Sequence, residues 1–157
     1  MNNDFSEPQR AWIEKFGFFL ERSGYPPSAG RVFALLLVSP EAMLTFDEIL
    51  DALPLSKGAV SGGIKHLLQM QKITEHKRPG IRRRYFRATV RWQDGVERFM
   101  AYNQALCSML DEGLSLRGEH ADAEFTEALG QSLRFLRFLH EQLGGLEARW
   151  QEVGEDD

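Results

Sequence analysis

The sequence predicts a mainly α-helical chain that carries one β-hairpin, on three observations. Over most of the length, apolar residues recur at spacings of three and four, the period of one helix face. That period breaks once, around Pro79-Gly80, where short stretches rich in strand-forming residues flank a turn. The last third returns to helix, with Leu129, Leu133, Leu136, Leu139, Leu143 and Leu146 spaced alternately by four and three, as in a heptad seam.

At 157 residues, with 43% hydrophobic and 27% charged side chains, the chain can bury one core or two small ones. Its longest apolar run, Val32 to Val38, falls far short of the roughly 20 residues that cross a bilayer. The N-terminal MNNDFSEPQR has neither the basic start nor the apolar run of an export signal. Cys107 is the only cysteine, which excludes an intrachain disulfide and a cysteine-based zinc cluster. A reducing cytoplasm is the expected location.

The first helix is expected over roughly Phe5 to Ser23, with Trp12, Ile13, Phe16, Phe19 and Leu20 on one face and Gly24 as its stop. After Tyr25-Pro26-Pro27, Ser28 stands near the start of a second helix that runs to Val38 and is apolar nearly all round, which predicts burial. Pro40 closes it. Thr45-Phe46-Asp47-Glu48 fits a capping box ahead of a short helix ending at Pro54. Two residues on, Ser56 can cap another helix with Val60, Ile64, Leu67 and Leu68 inward and Lys57, Gly58, Ser61, Gly62 and Lys65 outward.

Two short helices joined by a brief turn, the second with a small and basic outer face, describe a helix-turn-helix. Strands over residues 73–78 and 82–89 follow, and a charged hairpin in that place is the wing of a winged helix. Beyond it, Val96, Phe99, Met100, Asn103, Leu106, Cys107 and Leu110 predict a long helix to about Gly113, and a last helix runs from about Ala121 to Trp150. So wide an apolar stripe cannot be satisfied alone in a domain this small, and a two-fold homodimer pairing the terminal helices would cover it. The fold class is therefore mainly α: a winged helix-turn-helix with a two-stranded β-hairpin wing and long C-terminal dimerisation helices. The expected division is a DNA-binding domain over 1–91 and a helical dimerisation region over 92–157.

The net charge of −4 conceals a polarised chain. Between Lys57 and Arg91 stand ten basic residues and one acid, Glu75, or about +9, while the other 122 residues carry 9 basic and 22 acidic side chains. A basic block in an acidic protein is the electrostatic footprint of a polyanion. On the helix, Ser56, Lys57, Gly58, Ser61, Gly62 and Lys65 are the candidate contacts to a major groove, with the glycines, Gly63 among them, letting backbone approach the duplex. On the hairpin the candidates are Arg78, Arg82, Arg83 and Arg84. Strand alternation puts Arg82 and Arg84 on one side and Arg83 on the other. Arg87 and Arg91 stay open between DNA and the acids of the later helices.

The segment from Phe16 to Ile73 resembles the GbsR branch of the MarR-type winged-helix regulators. The resemblance is carried by Gly24-Tyr25-Pro26-Pro27-Ser28-Ala29-Gly30-Arg31 leading into the second helix and by Ser56-Lys57-Gly58-Ala59-Val60-Ser61 opening the recognition helix. It covers about residues 12–90, and Gly62-Gly63 departs from it. It implies a dimeric, sequence-specific regulator binding double-stranded DNA, often a repressor whose affinity answers to a small molecule. Some of the branch is linked to choline and glycine betaine. Trp12, Phe16, Tyr25, Trp92, Phe99 and Tyr102 would suit such a quaternary ammonium effector through cation–π attraction, or would pack core and dimer contacts.

No nucleophile–base set, phosphate loop or supported carboxylate pair points to an enzyme, and no cofactor is expected. His66, His76, His120 and His140 lack metal-ligand spacing, so no metal is expected either. Cys107 is expected to pack as a small hydrophobe. A winged-helix protein-interaction module, or a nonspecific nucleic-acid binder, is the rival class. The density of positive charge disfavours the first, and the adjacency of Tyr85 and Phe86, only one of which can face outward, disfavours single-strand stacking.

Overall fold

Ser6 opens the first helix, α1 (Glu7–Arg22), of this computed structural model, which describes residues 5–154 except Arg78, Ile81 and Trp92. The acidic end from residue 155 lies outside the described residues. The Ser6 hydroxyl accepts from the Gln9 N–H, and the Gln9 side chain accepts from the Ser6 N–H at 2.9 Å, a reciprocal cap. Gly24, at φ +92°, ends α1 as expected, in the left-handed conformation glycine adopts most readily.

The buried face of α1 is Ile13, Gly17 and Leu20: of the face the spacing suggested, Ile13 and Leu20 are buried as expected, while its aromatic members are not. Trp12 and Phe19 are exposed in this unit and stack on either side of half-buried Phe16, at 4.8 and 5.8 Å between centroids. The reason lies in the crossing with α2 (Pro27–Val38): a Cβ on Gly30 would sit 2.8 Å from the carbonyl oxygen of Gly17. Backbone meets backbone there, and bulky side chains are forced to the flanks. Arg31, next in sequence, lies across α1 and pairs with Glu14 at 2.9 Å.

As its composition predicts, α2 is buried nearly all round, with Val32, Phe33, Ala34 and Leu35 at the centre of the core. Its start is preset by Pro26 and Pro27, and no side chain caps it, so Ser28 does not serve as the cap. A two-residue strand, β1 (Leu44–Thr45), leads directly into α3 (Phe46–Ala52). The expected capping box is present there: Glu48 Oε2 accepts from the Thr45 N–H at 2.7 Å, and the Thr45 hydroxyl oxygen accepts from the Glu48 N–H. After a short turn comes α4 (Lys57–Gln69).

The hairpin strands are β2 (Ile73–Lys77) and β3 (Arg84–Ala88), and β1 joins them in an antiparallel sheet of order β1-β3-β2. The expected two-stranded wing thus has a third strand at its base. Leu44 pairs with Phe86 across β1 and β3, and Ile73 with Ala88 across β2 and β3. Phe86 is fully buried while Tyr85 beside it is half-buried, so the two do face opposite ways. Gly80 holds the turn at φ +76°.

The described residues up to Val90 form one compact unit and those from Arg91 onward a second. The second consists of α5 (Gln93–Ser115), α6 (Ala123–Leu143) and α7 (Leu146–Gly154). The single final helix expected up to Trp150 is broken after Leu143. Gly144 adopts an extended conformation and Gly145 a positive φ of +84°, so Leu146 leaves the heptad seam for a separate helix. An Arg137–Asp111 ion pair at 3.0 Å joins α6 to α5, and Arg117, in the segment between them, donates from Nε to Thr126 Oγ1 of α6 at 2.8 Å. Cys107 is buried, as expected, and its thiol donates to the buried Asn103 Oδ1. Within this unit Phe99, Tyr102, Phe125, Phe135, Phe138 and Trp150 remain exposed. No described helix is long and apolar enough to cross a membrane.

Candidate nucleic-acid interface

Helix α4 is held from behind by Val60, Ile64 and Leu67, which sit in the core, and from its start by Ser56, whose hydroxyl accepts from the Ala59 N–H at 3.2 Å. This fixes what the opposite face presents. Lys57, Gly58, Ser61, Gly62 and Lys65 are all exposed on it. Ser56, a candidate contact in sequence, is at once exposed and engaged as the cap.

The glycines divide by role. A Cβ on Gly58 or Gly62 would meet nothing within 4 Å, so no packing in the described chain requires either. Gly63 is different. It is buried, and a Cβ there would lie 3.0 Å from the Ala29 nitrogen and the Ser28 carbonyl carbon. Its expected part in approach to a duplex is therefore corrected: it lets α4 close on the start of α2. Tyr25, at the head of the same segment, meets the His66 ring edge-on at 6.0 Å, and burial pushes its hydroxyl pKa up.

On the wing, β3 begins at Arg84, so Arg82 and Arg83 belong to the irregular segment before it, both exposed. The alternation expected of Arg82, Arg83 and Arg84 does not apply, because only the last lies in a strand. Arg83 is nonetheless near α3. The Glu48 carboxyl there is held below its usual range, chiefly by the Thr45 N–H, with the Thr45 hydroxyl and the charge of Arg83 adding to the effect against partial burial. Arg84 is paired: its Nη1 lies 3.4 Å from Glu75 Oε2, and its guanidinium lies 5.7 Å from the centroid of the Phe86 ring. Nothing in the residue spacing marked that pair, because it follows from the strand register. Arg78, the fourth wing candidate, lies outside the described residues.

Arg87 is exposed on β3, and Arg91 pairs with Asp94 at the start of α5, at 3.4 Å. Of the candidate effector residues, Trp12, Phe16 and Tyr25 belong to the first unit and Phe99 and Tyr102 to the second, while Trp92 lies outside the described residues. Among the described residues no group of three or more His, Cys, Asp or Glu side chains is placed to hold a metal ion.

No family model matches the chain, and no curated protein matches it. Among solved structures it is similar to the crystal structure of a transcriptional regulator, with a TM-score of 0.77 and 24% identity over 92% of this chain and 99% of that one. At that identity the likeness shows a shared fold, the winged helix-turn-helix with its long C-terminal helices. Weaker likenesses reach MepR, a transcription regulator of the Staphylococcus aureus multidrug efflux pump MepA (TM-score 0.42, 19% identity, 84% of this chain and 99% of that one), and the transcriptional regulator Tm0710 from Thermotoga maritima (TM-score 0.42, 18% identity, 88% and 89%).

Proposed function

We propose that the chain is a sequence-specific, double-stranded-DNA-binding transcriptional regulator of the MarR type, of the GbsR branch by resemblance, acting as a homodimer and as a repressor. The observation that carries this reading is the outer face of α4. Lys57, Ser61 and Lys65 stand exposed beside Gly58 and Gly62, two glycines that no packing in the described chain requires. Each lowers helix stability by about 1 kcal/mol relative to alanine. A close-approaching partner accounts for them, and a basic block of about +9 makes that partner a polyanion.

In this reading α4 enters a major groove, where Lys57 and Ser61 reach base edges or phosphates and Lys65 a phosphate. Arg82 and Arg83 grip flanking phosphates or the adjacent minor groove from the wing. A second copy, joined through the exposed apolar residues of α5, α6 and α7, presents the same elements to the next groove on a pseudo-palindromic site. The acidic remainder repels DNA and restricts contact to one face. A small-molecule effector of the choline or glycine betaine class would act by changing the separation of the two recognition helices. Its support is the resemblance.

Selection of bound fragments from genomic DNA with the purified full chain tests the reading. Enrichment of a short pseudo-palindrome is expected, whereas recovery of fragments without any shared sequence would leave only a nonspecific binder. Calorimetry with choline and with glycine betaine tests the effector, and no heat together with no change in melting temperature would remove that class.

A further inference from the structure

Glu75 is the one acid in the basic block, and its position is set by strand register. It pairs with Phe86 across the hairpin, while Arg84 pairs with Lys77. Facing residues and their neighbours two along share one side of a sheet, so Glu75, Lys77, Arg84 and Phe86 all lie on the side of buried Ile73 and Phe86. That is the side turned toward the core. From there, both partners of the Arg84 guanidinium lie further from the turn at Gly80 than Arg84 does. Glu75 Oε2 takes it at 3.4 Å, and the Phe86 ring lies beneath it at 5.7 Å. The guanidinium is drawn back along the hairpin, away from the tip where Arg82 and Arg83 are exposed.

We infer that Glu75 is a positioning residue that withholds Arg84 from phosphate, leaving the grip of the wing to Arg82 and Arg83 and limiting affinity for DNA of any sequence. The inference rests on the proposed DNA-binding function. An exposed ion pair is weak enough for phosphate to compete with it, but here the carboxylate acts with the ring on the same guanidinium, and its side chain is itself only 26% exposed. Removing the carboxylate frees one more cation for the duplex.

The test is a double-mutant cycle on the full-length protein, titrating a short duplex of arbitrary sequence over a range of salt concentrations. Wild type, Glu75→Gln, Arg84→Gln and the double variant are compared, with melting curves to confirm that all four fold. Glu75→Gln is expected to tighten binding roughly three- to tenfold at low salt and to steepen the log–log salt slope by about 0.9, one further phosphate contact. In the Arg84→Gln background the same change is expected to have little effect. An equal gain in both backgrounds would mean that Glu75 acts by simple repulsion of DNA and would overturn the inference, as would no gain in either. Glu75→Ala carries the same expectations if glutamine perturbs the strand. If the wild-type chain itself shows no salt-dependent binding, the DNA reading fails, and that outcome is visible before any variant is compared.

Discussion

Gly63 of α4 and Ala29 of α2 are so close that a Cβ on the glycine would lie 3.0 Å from the alanine nitrogen. The opposing atoms are backbone and cannot swing aside. Gly63→Ala is therefore expected to destabilise the fold. Overpacking typically costs about 1–3 kcal/mol, set against a gain of about 1 kcal/mol in helix propensity. Gly62→Ala, one residue away with open space around it, should instead stabilise by up to about 1 kcal/mol. Urea unfolding of the two variants checks the contrast, and stabilisation by both would refute the assigned packing role.

The same pair separates stability from function. Under the DNA reading, Gly62→Ala and Gly58→Ala raise stability yet weaken duplex binding, because the new methyl groups stand between α4 and the groove. Binding titrations on the stabilised variants are the check, and unchanged affinity would leave the two glycines without an explanation.

Much of the fold was legible in the chain itself. Thr45 and Glu48 marked the start of α3 because a capping box is a local motif whose spacing is its geometry. The burial of α2 followed from a surface with no polar side. What escaped depends on distant partners. Gly62 and Gly63 are alike in sequence, and only the approach of α2 distinguishes them. β1 is two residues long and has no pattern of its own, since its pairing with Phe86 and Tyr85 comes from the hairpin. The Arg84–Glu75 pair required knowing that β3 begins at Arg84. The leucine seam ran through Gly144-Gly145 without a visible interruption, although two adjacent glycines are themselves a break signal.

The capping box predicts a pH dependence. The Glu48 carboxyl titrates below its ordinary 4.5, so its contribution is fully present above that value and is lost as the pH falls through the lowered one. As the pH falls through and below 4.5, wild type should lose more stability than Glu48→Gln. Thr45→Ala should cost about 1 kcal/mol at neutral pH through loss of the cap. Denaturant melts across that range measure both, and parallel curves for wild type and Glu48→Gln would contradict the assignment.

Phe135 and Phe138 are exposed on α6 within their unit, and the homodimer reading gives them to a second copy. Phe135→Glu with Phe138→Glu should yield a folded monomer in sedimentation. Its DNA affinity should fall steeply, because one half-site replaces two. A dimer that persists in this variant would place the interface elsewhere.

One surface, shared by α4 and the wing, carries the proposed function, and a single titration addresses it most directly. Wild type and the variant Lys57→Ala/Arg82→Ala/Arg83→Ala are compared on the same selected duplex across salt, with melting curves confirming both folds. All three side chains are exposed. Loss of specific binding is expected, with a log–log salt slope shallower by about 0.9 for each phosphate contact removed. Unchanged affinity and slope would show that DNA, if bound at all, is held by another face.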